Sequence, residues 1–333
     1  MRKQTYISIA SVLAAIAVAS GCGAQNGSIA ALPNRGVASS RSAGAPTVQR
    51  FASVKRAIRL HSRMLPAAGK GRLLYVADPW SNELLVYTYP QLSGAGVISG
   101  FASVDGVCTD RQGYVWVVDT SDVVVWEFAH GGTEPINYLQ PGDTNGNPGV
   151  SYGCAVNERS GDLAVAGFGG LTVFRNGQQS HATYWDYNFL DFHSVGYDGS
   201  GNLYADGLLS YGLKFGLVEL PAGSSSINEV TLSGGTLAGP GGIQWDGKYL
   251  DIGDSASGTI YQTDGASILG SIGTAAACQG QFYILSNHKR VIVPDPCSAR
   301  TGIYAYPAGG SAIKFASGGQ QSPDGAAISM ASR

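Results

Sequence analysis

The chain has 333 residues, of which 48 are glycine and only 13% are charged. Such a composition favours short strands joined by tight turns over helices. The formal net charge is −2, but it is unevenly distributed. Between Cys22 and Gly71 there are eight basic residues and no acidic one, whereas from Arg72 onward 11 basic and 23 acidic residues give −12. Because nucleic-acid binding needs a positive surface, we predict no nucleic-acid partner for this acidic body.

Residues 1–21 have the layout of a signal peptide. Arg2 and Lys3 precede an apolar stretch from about Tyr6 to Val18, which ends in Ala19-Ser20-Gly21-Cys22. A basic start, an apolar segment shorter than a membrane span and small residues at its end predict export. These small residues before Cys22 resemble the lipobox of bacterial lipoproteins, which implies a lipid anchor on Cys22 in the cell envelope, at the outer membrane or cell surface. An ordinary secretory signal with an unmodified cysteine is the alternative.

Residues 22–71 are rich in Ala, Ser, Gly and Arg and poor in large apolar side chains. They are predicted to form a disordered basic linker between the lipid anchor and the body. Within the linker, the segment from Val54 to Met64 has the pattern of a short basic amphipathic helix suited to anionic headgroups. A solvated linker is the alternative. No segment after the signal peptide has the 18 apolar residues of a membrane span.

From Arg72 to the C terminus a unit of short strands recurs. Its clearest copy, DGVCTDRQGYVWVVDTSDVVVWEF from Asp105, has a Gly-led strand, a turn, a strand that ends in Asp and a third strand with an aromatic residue. The second-strand ends, spaced by 39 to 48 residues, fall at Asp78, Asp119, Gly167, Asp206, Asp254 and Asp295. Six units of this length predict an all-β fold over residues 72–333, a six-bladed β-propeller of four-stranded blades.

The two ends of the repeat region complement each other. The unit that starts at Arg72 lacks a first strand, and the C-terminal SPDGAAIS from Ser322 has the pattern of a first strand without a blade. We predict that the C-terminal strand completes and closes the first blade, which removes the open sheet edges of the array. The repeated aspartates at the second-strand ends are predicted to accept hydrogen bonds from turn amides, since a single function would not need five copies.

The VDG and PDG starts at Val104 and Pro323, together with the aspartates at the second-strand ends, resemble NHL-type blades. The whole body is similar to the six-bladed TolB-like propellers. That resemblance implies either a binding or scaffolding propeller or an exported hydrolase or lyase of the gluconolactonase or streptogramin-lyase type. The hydrolases hold a divalent metal with Glu, Asn and Asp, but the inner strands here start with Asp105, Tyr152, His193, Gly241, Gln279 and Asp324. We therefore predict no metal, no cofactor and no catalytic residues.

Without Cys22 four cysteines remain, an even number that suits disulfides in an exported protein. Cys278 and Cys297 flank neighbouring antiparallel strands of the last unit, so a bond between them is predicted. Cys108 and Cys154 start adjacent units and form a second candidate pair, for which two free buried thiols are the alternative. The sequence has no CxxC motif and no Cys/His cluster, which argues against zinc.

The segment YWDYNFLDFH, from Tyr184 to His193, combines five aromatic residues with two aspartates and a histidine. In a propeller this connection opens on the same face as the loops that follow the second strands. We therefore expect a site for a sugar, a small ligand or a protein partner on this face, lined by Trp80, Asp105, Tyr152, Trp185, His193 and Asp324. The alternatives are that the rings fill space between blades, that His193 acts with Asp105 or Asp324 in an enzyme, and that only the blade rims matter in an envelope scaffold.

Overall fold

A computed structural model describes residues 44–142, 151–168 and 170–331. The predicted signal peptide and Cys22 lie outside the described residues. The chain divides into two units, residues 1–54 and Lys55–Arg333, and every described strand belongs to the second unit. In the described part, no helix is both long and apolar enough to span a bilayer.

The described residues contain one α-helix, α1 (Gly44–His61), and three short 3-10 turns at Ala68–Lys70, Arg175–Gly177 and Pro296–Ser298. The strands in chain order are β1 (Arg63–Met64), β2 (Arg72–Asp78), β3 (Glu83–Tyr89), β4 (Gly94–Ser99), β5 (Val104–Thr109), β6 (Val115–Asp119), β7 (Val124–Phe128), β8 (Pro135–Leu139), β9 (Ser151–Val156), β10 (Leu163–Gly167), β11 (Gly170–Phe174), β12 (His181–Tyr184), β13 (Phe189–Tyr197), β14 (Leu203–Leu209), β15 (Phe215–Leu220), β16 (Asn228–Val230), β17 (Pro240–Trp245), β18 (Leu250–Asp254), β19 (Thr259–Thr263), β20 (Ile268–Gly273), β21 (Tyr283–Ile284), β22 (Arg290–Asp295), β23 (Arg300–Ala305), β24 (Gly309–Phe315) and β25 (Gly325–Ser329).

These strands form six antiparallel sheets, which are the blades of the predicted propeller. Blades 2 to 6 each contain four consecutive strands, from β5–β8 to β21–β24. Blade 1 has the order β1-β4-β3-β2-β25, with the C-terminal strand innermost. The hydrophobic core lies mainly between neighbouring blades, where buried side chains of two sheets pack together. The six-bladed all-β fold predicted from the repeat spacing is confirmed.

The predicted ring closure is also present. Strand β25 pairs antiparallel with β2, from Leu73 opposite Ser329 to Ala77 opposite Gly325. Beside this ladder, the backbone amide of Asp324 donates to the carbonyl oxygen of Ala77 at 2.9 Å. The first blade is therefore completed by the end of the chain, and the ring has no open inner edge at this junction.

The repeated aspartates bind backbone amides, as predicted, but mostly not those of their own turn. Asp119 accepts from Ser103 at 2.9 Å, and Asp295 accepts from Ala277 at 3.0 Å. Both amides belong to the connection that leads into the first strand of the same blade. Each aspartate therefore fixes the path by which the chain enters its inner strand.

The inner strands approach each other closely because glycine occupies their starts. A Cβ atom at Gly153 would lie 2.5 Å from the carbonyl oxygen of His193 on the next blade. One at Gly106 would meet the carbonyl oxygen of Tyr152, and one at Gly280 that of Asp324. The Gly-led pattern of the repeat thus narrows the central channel.

The structured body begins earlier than the predicted boundary at residue 72. Ile58 in α1 is fully buried, and its backbone lies about 3.0 Å from the position that a Cβ of Gly100 would take. The hydroxyl of Ser62 accepts from the Ser99 amide at 3.1 Å, and β1 pairs with β4. Residues 55–64, expected to be linker, are attached to the outer side of blade 1.

Both predicted disulfides are present. Cys108 on β5 bonds to Cys154 on β9, with Cα atoms 5.8 Å apart, and so joins the inner strands of blades 2 and 3. Cys278 bonds to Cys297 with Cα atoms 5.7 Å apart, within blade 6. Since these sulfur atoms are bonded to one another, they do not act as thiolate ligands for a metal.

Candidate functional site at the channel face

The starts of the six inner strands lie at one end of the central channel, because every blade has the same strand order. The connections between blades and the loops after the second strands lie at this end too. We call this end of the propeller the channel face. It contains the start of β5, β9, β13 and β25 and therefore every residue predicted for the site.

Asp105 and Asp324 form a hydrogen-bonded carboxyl pair at the starts of the neighbouring strands β5 and β25. Both residues are half-buried. Burial raises the pKa of Asp105 well above its usual range, and the charge and hydrogen bond of Asp324 raise it further; a hydrogen bond from Thr120 opposes the shift. Two adjacent carboxylates repel each other, so the protonated form of Asp105 is favoured beside Asp324.

Tyr152, at the start of β9, stacks on His193, which lies in the middle of β13. Their ring centroids are 4.7 Å apart and the planes differ by 3°. The His193 Nε2 atom lies 3.5 Å from a carboxylate oxygen of the buried Asp191. Burial by itself lowers the pKa of His193, but Asp191, Asp206 and Asp324 together raise it above its usual value. The imidazolium form is thereby favoured next to an aromatic ring.

Asp206 is another carboxyl group that raises the pKa of His193. It lies on β14, fully buried, and accepts from the Ser194 amide at 2.8 Å. Burial raises its pKa to about 7, while the positive charge of His193 opposes the rise. Asp191, Asp206 and Asp324 thus act on the charge of His193, and Asp105 lies beside Asp324. The cluster at the channel mouth therefore contains four carboxyl groups and one histidine.

Gln281 bridges the channel just inside this cluster. Its side-chain amide donates to the carbonyl oxygen of Tyr152 at 3.4 Å, which links blade 6 to blade 3 on the opposite side of the ring. Its backbone amide donates to Asp324 O at 2.6 Å, and its carbonyl accepts from Ala326 at 3.1 Å. The Gln281 side chain thus spans the channel, and a group that enters from the channel face meets the acidic cluster.

Exposed aromatic residues surround the mouth on the side of blades 3 and 4. Tyr187 is 91% exposed and Tyr211 is 94% exposed, and their loops are joined by a 2.7 Å hydrogen bond from Ser210 N to Asn188 O. Trp185 lies against the start of β11, 3.3 Å from the position that a Cβ of Gly170 would take. We call the set of exposed side chains on these loops the aromatic patch; it consists of Phe168, Trp185, Tyr187, Tyr211 and Leu213.

The rings of the YWDYNFLDFH segment therefore divide between two roles. Phe189 and Phe192 are buried and stack at 4.7 Å, within the core shared by blades 3 and 4. The space-filling alternative thus describes these two rings, whereas Tyr187 is free on the surface. Trp185 lies between these extremes and is partly exposed.

The structure brings together most of the residues predicted for the site. Asp105 contacts Asp324, Tyr152 contacts His193, and Trp185 lies on the same face. Trp80 is 75% exposed on the loop after β2, and among the described residues no ring contact joins it to the others. Sequence reasoning missed Gln281 and Thr120, for which no pattern signals a contact across the ring.

No protein-family model matches the chain, and no curated protein sequence matches it. Many solved structures share the fold. One of them is a chain of the crystal structure of a nidogen/laminin complex, with a TM-score of 0.64, 12% identity, 79% of this chain covered and 100% of that chain covered. At this identity the likeness shows the fold alone. By its fold the protein is a six-bladed β-propeller.

Proposed function

We propose that the protein is an exported, lipid-anchored propeller of the cell envelope that binds a protein partner through its channel face. The observation that carries this proposal is the aromatic patch next to the acidic channel mouth. Large aromatic side chains left in water, such as Tyr187 and Tyr211, are typical anchors of protein interfaces. Single exposed apolar residues need no explanation, but a contiguous group on functional loops does.

The charges of the mouth indicate the chemistry of the partner. Asp191 and Asp206 are buried, whereas Asp105 and Asp324 are partly exposed, so this pair accommodates a basic side chain better than an acidic one. A partner loop that packs on Tyr187 and Tyr211 can present an ammonium or guanidinium group to Asp105 and Asp324. A positive charge there would favour the ionised form of Asp105, because it offsets the repulsion from Asp324.

Two further observations support the proposal. The nidogen/laminin structure has the same fold and, as its title states, contains a complex of two proteins. The two disulfides suit an oxidising compartment outside the cytosol. The signal peptide and the lipid on Cys22 remain predictions from the sequence.

Site-specific photo-crosslinking in the envelope of cells that make the protein tests this proposal. A photoreactive residue replaces Tyr187 or Tyr211 on the aromatic patch, and Leu269 or Ile313 in matched controls. The control residues are also exposed, but lie on the outer strands β20 and β24. We expect one discrete adduct from the two loop positions and none from the outer strands. Adducts from the outer strands alone would contradict the proposal and favour the scaffold alternative.

The exported hydrolase or lyase remains the second candidate. It is favoured by the raised pKa of Asp105 beside Asp324 and by His193 paired with Asp191, since perturbed titratable groups often cluster in active sites. Metal analysis of the purified protein separates the two functions. A stoichiometric divalent ion that is lost in Asp324→Asn, together with hydrolysis of lactones or esters that is lost in His193→Gln, would establish the enzyme. The binding proposal predicts neither.

A further inference from the structure

We propose that the outer side of blade 1 docks on an anionic lipid bilayer through a surface that we call the basic edge. This inference concerns a different surface from the channel face and does not depend on the function proposed for that face. The basic edge consists of the cations and exposed leucines of α1 and of the segment that follows it, namely Lys55, Arg56, Arg59, Leu60, Arg63 and Leu65.

The packing of α1 turns its basic side outward. Ile58 is fully buried, and residues on the opposite side of a helix are displaced from it by about half a turn. Arg56 and Leu60 lie on that opposite side, and Arg59 lies on its flank, about 100° from Ile58. All three are exposed, and Leu60 is 62% exposed. The helix thus exposes two arginines and Leu60 to the surroundings, while its other apolar residue here, Ile58, is buried.

The segment that follows α1 is held to the blade rim and continues this surface. Met64 pairs with Gly96 on β4, and the amide of Leu65 donates to Ala95 O at 2.8 Å. Arg63 remains exposed beside them, and Leu65 is 56% exposed. Because β1 is the outermost strand of blade 1, these side chains lie on the perimeter of the propeller.

The basic edge has no compensating negative charge of its own. No acidic residue occurs between Lys55 and Ala77, and in the described part of the chain none of its cations is in an ion pair. The chain from Arg72 onward carries −12, so an anionic surface attracts this edge and repels the rest of the body. The charge distribution therefore orients the propeller as well as attracting it.

The two leucines favour a bilayer over an acidic protein as the occupant. Apolar side chains flanked by arginine and lysine can enter the boundary between headgroups and acyl chains, while the long basic side chains reach the phosphates. The same stretch of chain leads back to Cys22, the residue predicted to carry lipid. A basic surface near the lipid adds a second contact with the bilayer.

Vesicle co-sedimentation tests the proposal. The protein is the chain from residue 22, the form that export is predicted to leave, with Cys22→Ser so that no lipid contributes. We expect it to bind vesicles that contain phosphatidylglycerol, not vesicles of phosphatidylcholine alone, and to dissociate at high salt. Arg56→Glu with Arg59→Glu should weaken binding about tenfold or more, and Leu60→Ser with Leu65→Ser should weaken it as well.

The matched control is Arg159→Glu with Arg175→Glu, which makes the same charge change at two exposed arginines of blade 3. This control should bind within about twofold of the unaltered chain, since screening limits the reach of surface charges. An equal loss in the control, equal binding to neutral vesicles, or no binding to anionic vesicles would overturn the proposal. Capture by immobilised polyglutamate without vesicle binding would overturn it too and would favour an acidic protein as the occupant. Unchanged melting temperatures show that the variants are folded.

Discussion

The carboxylate of Asp78, at the end of β2, accepts a hydrogen bond from the backbone amide of Ser322 at 3.1 Å. It also accepts from Gln321 at 2.6 Å, and it is fully buried. These bonds join the first complete strand of the propeller to the connection that leads into β25. The ring is therefore closed by side-chain contacts as well as by the β2–β25 ladder.

Replacing Asp78 with alanine should destabilise the closed ring. The change removes the buried acceptor of the part-buried amides of Gln321 and Ser322, and each group left unsatisfied costs about 1–3 kcal/mol. We expect a loss of about 3 kcal/mol in the free energy of unfolding, measured by urea denaturation. Asp264→Ala is the control, because Asp264 also accepts from two backbone amides but lies on an exposed turn. A similar loss in both variants would show that closure does not depend on burial of this contact.

A methyl group at Gly153 should disturb both the channel and the fold. Its Cβ would lie 2.5 Å from His193 O and 3.0 Å from the side-chain nitrogen of Gln281, and the inner strands leave no room for either to move. We expect Gly153→Ala to cost about 1–3 kcal/mol in thermal unfolding. Gly273→Ala on β20 serves as the control, since nothing lies within 4 Å of its Cβ position. Equal stability of the two variants would contradict the close approach of blades 3 and 4.

The free energy of unfolding should fall as the pH rises, because the carboxyl group of Asp251 is buried between blades 5 and 6. The Tyr306 hydroxyl lies 2.5 Å from Asp246 Oδ2 and 2.8 Å from Asp251 Oδ2. Burial raises the pKa of Asp251 from 3.8 to about 8. The hydrogen bond from Tyr306 lowers this pKa, and the charge of Asp246 raises it further. The folded state thus keeps a proton that the unfolded state has lost. The stabilisation is complete below about pH 4 and is lost as the pH passes about 8.

Between these limits Asp251 should contribute a decrease of about 1.4 kcal/mol per pH unit. Asp119 and Asp206, whose pKa values burial raises to about 6 and about 7, add decreases of the same sign. Urea unfolding across the neutral range should show a smaller slope for Asp251→Asn. Asp264→Asn should leave the slope unchanged, because backbone amides hold the pKa of Asp264 below its usual value. Stability that rises with pH would refute this assignment.

Removal of either disulfide should lower stability by an amount set by the loop it closes. The cysteines are 46 residues apart for Cys108–Cys154 and 19 apart for Cys278–Cys297. Chain entropy gives about 4 and about 3 kcal/mol for these loops, to be measured on the double alanine variants by chemical denaturation. Cys22→Ser should not change the stability of the propeller. Free thiols in the exported protein, detected by alkylation and mass spectrometry, would show that the bonds do not form there.

The repeat made the architecture predictable from one sequence. Each blade repeats the same strand order, and Ser322 to Ser329 matched an otherwise missing strand, so closure followed from counting. The helix around Ile58 fits the amphipathic pattern of Val54 to Met64, but its packing against blade 1 was missed. One buried isoleucine and a two-residue strand give no sign of that contact in the sequence. The aspartates were expected to bind their own turns, yet Asp119 binds the connection before β5, since only the blade geometry brings that amide near.

The candidate site was predictable in position but not in its contacts. The shared position of Asp105, Tyr152, His193 and Asp324 at strand starts placed them at one end of the channel. Which of these four side chains pair depends on the order of the blades and on side-chain conformation. Neither can be read from a single sequence. Gln281 shows this most clearly, because its partner Tyr152 lies 129 residues away on the opposite blade.

Oxidative footprinting of the protein in its native envelope tests the channel-face interface most directly. Hydroxyl radicals modify exposed aromatic side chains, and mass spectrometry compares each residue in the envelope with the same residue in the purified protein. Binding at the channel face predicts protection of Tyr187 and Tyr211 and unchanged modification of Tyr114 and Phe315, which are exposed elsewhere on the propeller. Equal modification of Tyr187 and Tyr211 in both preparations, or protection confined to Tyr114 and Phe315, would contradict it.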